Sequence, residues 1–159
     1  MVRIKILIIT ALFIALMNIG LSVQGTEEKG GDQSHHSTAG PVCDLELVVR
    51  GAVEDQSWMG CRTPEEVGSV LGRYYTGDLL AQLAGNCWKF IERPTDWYSV
   101  SRVIELRVLH DDGQRAVVEA LIGIEDLDTG YNETGKGLFA MLNTPEGWRI
   151  NYTAFSWGR

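Results

Sequence analysis

Between residues 41 and 159, His110-Asp111-Asp112 is the one place where a histidine stands beside carboxylates. An imidazole next to an acid can act as a general base. Gly113 follows at once, and Asp111-Asp112-Gly113 is a hairpin-turn sequence that carries such a group to a solvent-exposed tip. The turn is a sufficient reason for the acids. Asp96, in the irregular Pro94-Thr95-Asp96 stretch, is the other acid offered for proton transfer, in company with a pocket tyrosine. Asp126-x-Asp128-x-Gly130-x-Asn132-Glu133 has the alternating oxygens of a calcium loop. Counting from Asp126, positions 6 and 12 hold Tyr131 and Gly137, where glycine and glutamate are required. A solvated loop accounts for it better, and no pattern in the chain calls for a metal or a cofactor.

Cys43, Cys61 and Cys87 are separated by 18 and 26 residues, which matches no zinc spacing, and no histidine adjoins them. They read as small buried residues, or as one disulfide with an odd thiol; sequence alone does not choose the pair. Tyr74, Tyr75, Trp88, Trp97, Tyr98, Trp148, Tyr152, Phe155 and Trp157 are many aromatics for this length. Core packing explains most of them. A ligand-binding pocket would draw on Tyr74, Tyr75, Trp97, Tyr98 and Trp148, because Tyr and Trp join apolar area to a polar handle. Asn132-Glu133-Thr134 and Asn151-Tyr152-Thr153 match glycosylation acceptors, which count only in a eukaryotic secretory pathway.

The elements that must position these groups change character halfway along. From Asp44, a potential cap, Leu45, Val48, Val49, Ala52 and Val53 recur with helical spacing. Thr63-Pro64-Glu65-Glu66 places a hydroxyl at the N-cap, proline at N1, and at N3 a glutamate able to reach back. The stripe continues through Val67, Val70, Leu71, Tyr74 and Tyr75. A third, short helix is expected from Asp78, closed by Gly85-Asn86. Val100–His110 and Gln114–Glu125 then read as strands, the second alternating Ala116, Val118, Ala120, Ile122 and Ile124 on one face. A polar loop is expected from Asp126 to Gly135, with further strands over Gly137–Asn143 and Trp148–Trp157. On the last, Trp148, Ile150 and Tyr152 are expected to share a face. Helices followed by an antiparallel meander predict an α+β domain with helices packed on one face of a curved sheet.

The element order, the Tyr74-Tyr75-Thr76-Gly77-Asp78-Leu79-Leu80 junction and Gly147-Trp148-Arg149-Ile150 together resemble the NTF2-like (cystatin-like) superfamily over residues 44–157. The resemblance implies a sheet of about four strands curled into a cone with a cavity. Members include isomerases, dehydratases, ligand carriers and exported accessory domains, so it implies a pocket and no single reaction.

Compartment is read from the first 25 residues. Arg3 and Lys5 precede an apolar run from Ile6 to Met17, and Val23 and Gly25 stand at −3 and −1 of a cleavage site, the layout of a secretory signal. Asn18, Gly20 and Ser22 stop the run well short of the roughly 20 residues a spanning helix needs, leaving an uncut anchor as the alternative. Residues 26–40 hold one apolar residue, Ala39, and read as a flexible linker before a domain at 41–159. Removing residues 1–25 takes the basic count from 14 to 12 against 21 acidic residues, a net charge of −9. Such a chain is repelled by phosphate backbones, which excludes nucleic acid as a natural partner. The expectation is an exported, non-catalytic binding or accessory domain that takes a protein, an envelope component or a small apolar ligand. The alternative is a small enzyme using His110 or Asp96 inside the cone.

Overall fold

Alternation of apolar and polar residues through the second half builds a four-stranded antiparallel sheet in which each strand pairs with its neighbours in sequence. The computed structural model describes residues 41–93 and 99–157. The helices are α1 (Pro41–Glu54), α2 (Pro64–Leu71) and α3 (Gly77–Ile91), with a 3-10 turn at Ser57–Gly60. The strands are β1 (Ser99–Asp111), β2 (Arg115–Asp126), β3 (Asn132–Thr144) and β4 (Gly147–Trp157), in the order β1-β2-β3-β4. The helices pack on one face of the sheet, which is the α+β arrangement expected from sequence and is consistent with the NTF2-like cone.

Among the described residues, side chains pack the concave face. Ala116, Val118, Ala120 and Ile122 of β2 point inward as their alternation predicts, beside Phe139 and Met141 of β3 and Ile150 of β4. Leu45 and Val49 of α1 and Val67 and Leu71 of α2 meet them from the helical layer. The stripe on α1 is therefore a core stripe.

Three bulges curve the sheet. The β1–β2 register shifts between Val103 and Glu105 and again between Val108 and His110, and the β3–β4 register shifts at Ala140/Met141. A bulge sets an extra residue on one strand and bends it. In β4 the extra residue is Asn151, since Met141 faces Ile150 while Ala140 faces Tyr152. Alternation restarts there. Tyr152 is thereby turned to the outer face, 61% exposed, and does not share the inner face of Trp148 and Ile150; Thr153 is the residue that turns inward.

Helical side chains and backbone close parts of both sheet edges. On the β1 edge the Val103 N–H donates to Glu54 (2.9 Å), and Arg50 donates to the Val103 carbonyl (3.2 Å) and to Glu54 (3.0 Å). On the β4 edge the α2–α3 junction pairs with Ile150: Thr76 N–H donates to the Ile150 carbonyl, and Ile150 N–H to the Tyr74 carbonyl. Blunted edges resist strand-to-strand aggregation.

Several boundaries differ from expectation. α1 begins at Pro41, which the first turn tolerates because its amides have no intrahelical partner; Asp44 lies inside the helix. Thr63 does cap α2 through its hydroxyl, but Glu66 reaches past it to the Arg62 N–H (2.7 Å). α3 starts after Thr76 and passes through Gly85-Asn86 to Ile91. A glycine costs a helix only about 1 kcal/mol, and Cys87, Trp88 and Ile91 extend the stripe that Leu80, Leu83 and Ala84 lay on the core. The β2–β3 loop is shorter than expected because β3 already begins at Asn132. Among the described residues no helix is long and apolar enough to cross a membrane.

Candidate functional site

The two tyrosines at the α2–α3 junction are held by the fold. α2 ends at Leu71, so Tyr74 and Tyr75 lie beyond its stripe, in the turn that pairs with β4. Tyr75 is buried and donates to the Ala52 carbonyl (3.1 Å). Burial, with the neighbouring Cys87 thiol, pushes its phenol well above the ordinary value. Burial likewise raises the Cys87 thiol to about 12. Both groups are neutral at physiological pH and poor proton carriers there. Cys61 and Cys87 are free thiols; the side chain of Cys43 lies outside the described residues.

Tyr74 lies across α1 at Gly51, where a Cβ would stand 2.3 Å from its ring. That close approach lets its hydroxyl donate to Asp55 (2.7 Å), which also accepts from the Ser57 N–H (2.8 Å) and faces Arg73 at 3.8 Å. Partial burial opposes the Asp55 charge, but the Ser57 and Tyr74 hydrogen bonds and Arg73 outweigh it and lower its pKa. Partial burial and the Asp55 bond raise that of Tyr74. A carboxyl with a depressed folded pKa stabilises the fold above its unfolded value and loses that contribution as pH falls through the folded one. Asp55→Asn is therefore expected to be less stable than the parent at pH 7 and to lose less on acidification below about pH 4, by urea unfolding across pH. An unchanged pH profile would show that the cluster does not couple to folding.

His110 stands at the β1–β2 hairpin with its Nε2 3.5 Å from Asp112, both side chains at least half exposed. Asp112 accepts the Gln114 and Arg115 N–H groups, and Asp111 that of Gly113. Hydrogen bonds from Arg115 and Gln114 and the nearby His110 lower the Asp112 pKa. The cluster builds a turn, with Gly113 at φ 81 completing it. Asp126 is spent in the same way on the Asp128 and Thr129 N–H groups. Among the described residues no three His, Cys, Asp or Glu gather as metal ligands. Asp96, Trp97 and Tyr98 lie outside the described residues.

Among the described aromatics Trp148, itself buried, is one that lines a cleft, of about 460 Å³, between the start of α1 and the β3–β4 turn. Leu47 and Val48 form one wall, Trp148 and Gly147 the other. The volume is within the range of small-ligand and side-chain pockets. Asp44 and Glu146 stand at its margin. Arg149, also in the lining, has its guanidinium committed to the Gly72 and Trp148 carbonyls (3.0 and 2.9 Å). Sequence reasoning missed Leu47. Its signal was an apolar residue off the core stripe of α1, and it is 61% exposed.

No protein-family model matches the chain, and no curated protein matches it. Solved structures do. A candidate calcium/calmodulin-dependent protein kinase II association domain from Xanthomonas campestris is 14% identical, over 86% of this chain and 98% of that one, with a TM-score of 0.51. A candidate aromatic ring hydroxylase from Novosphingobium aromaticivorans is 14% identical over 75% and 87%, with a TM-score of 0.50. The intermembrane space region of the chloroplast protein ARC6 is 17% identical over 72% and 95%, with a TM-score of 0.46. At such identities the likeness is one of fold, and the first two support the NTF2-like α+β architecture, which serves binding and enzymatic members alike.

Proposed function

We propose that this chain is an exported, non-catalytic binding domain that holds a segment of a partner protein in the cleft between α1 and the β3–β4 turn. The observation that carries the reading is the filled concave face. Phe139, Met141, Ile150, Val118, Leu45, Val49 and Val67 are each less than 2% exposed there, where an enzyme of this shape would need room for substrate. The tyrosine and thiol beside them are neutral and already packed. The open cleft instead is lined by Leu47, Val48 and Trp148 together with the polar groups of Asp44, Asn143 and Glu146.

Charge selects the partner. Asp44 and Glu146 are carboxylates, while the cleft's one cation is tied to backbone carbonyls. A segment with a lysine or arginine next to an apolar side chain fits, and the net charge of the exported chain draws it in. The leader at 1–25 and linker at 26–40 support a place of action outside the cytoplasm, either free or held close to a membrane.

The test is titration with a synthetic peptide alternating Lys and Leu, and with its Glu/Leu counterpart, by calorimetry at low salt. The Lys peptide is expected to bind and the Glu peptide not to. The Asp44→Asn/Glu146→Gln pair should weaken binding about tenfold, roughly 1.4 kcal/mol. Neutralising Glu65 and Asp78 on α2 and α3 should leave it unchanged. Equal loss from both pairs would mean diffuse attraction to an acidic surface and would sink the cleft reading.

A further inference from the structure

We infer that the β1 edge at Glu105–Val108 is a second docking site, separate from the cleft, which takes an extended segment of a partner protein as a fifth strand. Hydrogen bonding along β2 shows which β1 groups are unspent. The Asp126 N–H donates to the Tyr131 carbonyl (2.8 Å), and β2 pairs with β3 without a register shift. Successive residues of an antiparallel strand bond alternately to the strands on either side. Even-numbered β2 residues therefore bond to β3, and odd-numbered ones to β1. Val103, Leu106 and Val108 stand opposite Ile122, Ala120 and Val118, so their own N–H and C=O groups turn away from the sheet. At Val103 those groups are taken by Glu54 and Arg50. At Leu106 and Val108 no described residue takes them. Helix α1 thus seals the edge as far as Val103 and leaves two donors and two acceptors open beyond it.

Side chains set the chemistry of the occupant. Leu106 and Val108 are half-buried against the core on the concave side, while Glu105 and Arg107 are exposed on the convex side. Among the described residues neither charge is held in an ion pair, and Glu119, opposite Arg107, is taken by Lys136 at 3.5 Å. In strand addition the main chain supplies the hydrogen bonds and alternate side chains supply the selectivity. An antiparallel segment sets apolar side chains beside Val108 and Leu106, an acid beside Arg107 and a base beside Glu105. Read from its N-terminus, the complement is apolar, acid, apolar, base. Register shifts at Val103/Glu105 and Val108/His110 bracket this stretch. Such bends turn a long edge away from another folded edge. A second copy would bring the same two bends and a net charge of −7, whereas a short extended segment of a partner brings neither.

The test is titration of the full chain, up to about 1 mM, with the blocked peptide Ser-Val-Glu-Val-Lys-Ser, followed by amide NMR. Saturable shifts and slowed hydrogen exchange are expected at the Leu106 and Val108 amides. N-methylation of the two peptide valines, whose N–H groups face β1, should weaken binding roughly tenfold or more, and N-methylation of its Glu and Lys should change it little. Exchanging that Glu and Lys should cost about threefold, as exposed ion pairs do. Val108→Pro removes an outward donor and no bond of the β1–β2 ladder, so it should weaken binding with the circular dichroism unchanged. Asp44→Asn/Glu146→Gln, in the cleft, should leave this binding intact, so that the two sites fail or stand separately. Silent Leu106 and Val108 amides, or equal loss from all four N-methylations, overturn the proposal. A dimer in sedimentation that Val108→Pro dissolves would give the edge to a second copy and overturn it as well.

Discussion

Phe139→Ala is expected to leave the domain largely unfolded at modest temperature, while Leu138→Ala, one residue away, changes stability by less than about 0.5 kcal/mol. Phe139 is 1% exposed and sits where β2, β3 and β4 meet. Its ring lies edge-on to Phe155 at 5.7 Å and, in the register, faces Val118 on one side and Thr153 on the other. Truncating a buried phenylalanine costs about 3–5 kcal/mol, the transfer of the ring plus the cavity it leaves. Small domains have about 5–15 kcal/mol in total. A fall in melting temperature of roughly 10–20 °C follows for a domain of this size. The contrast between neighbours is the sharper part of the expectation, because it follows from the two-residue period of a strand. Comparable losses at both positions would mean that β3 is misregistered.

Gly137→Ala is expected to destabilise by about 1–3 kcal/mol, although alanine in a strand gains about 0.5–1 kcal/mol over glycine in backbone terms. A Cβ at Gly137 would stand 2.8 Å from the Phe139 ring, 2.9 Å from Phe155 and 3.1 Å from Ile122. It is hemmed in from three sides by groups that themselves fill the core. Gly135 offers an instructive comparison. Its Cβ would come nearer to a single neighbour, 2.3 Å from the Trp157 ring. Trp157 is the last residue of β4 and only half-buried, and its indole N–H is buried without a hydrogen-bond partner to hold it. That ring can yield where three packed ones cannot. Gly137→Ala should therefore cost more than Gly135→Ala, as read by chemical denaturation. The reverse order would show that the strand end is more rigid than its contacts imply.

The layers of this fold were legible because they rest on local periodicity. Alternation placed Ala116, Val118, Ala120 and Ile122 on the buried face of β2, and the α1 stripe predicted the burial of Leu45 and Val49. What sequence missed depends on partners distant along the chain. Nothing near Asn151 announces the bulge that turns Tyr152 outward; it comes from pairing with β3. Gly51 looks like an ordinary weak point in a helix, yet it is the seat of the Tyr74 ring. Gly85 and Asn86 looked like a stop, and packing of Cys87, Trp88 and Ile91 against the core overrode them. Of the aromatics proposed for a pocket, Trp148 lines the cleft beside α1, while Tyr74 and Tyr75 hydrogen-bond to Asp55 and the Ala52 carbonyl at the α2–α3 junction. Residue type gave no means of telling these roles apart.

Partners held in the cleft between α1 and the β3–β4 turn, outside the packed concave face, would be seen by amide and methyl NMR shifts during titration with the Lys/Leu peptide. Saturable shifts are expected at Asp44, Leu47, Val48, Glu146 and Trp148, with the buried methyls of Val118, Met141 and Ile150 unmoved. Shifts concentrated on those buried methyls and on Phe139, with the cleft silent, would place the ligand inside the cone and contradict that expectation.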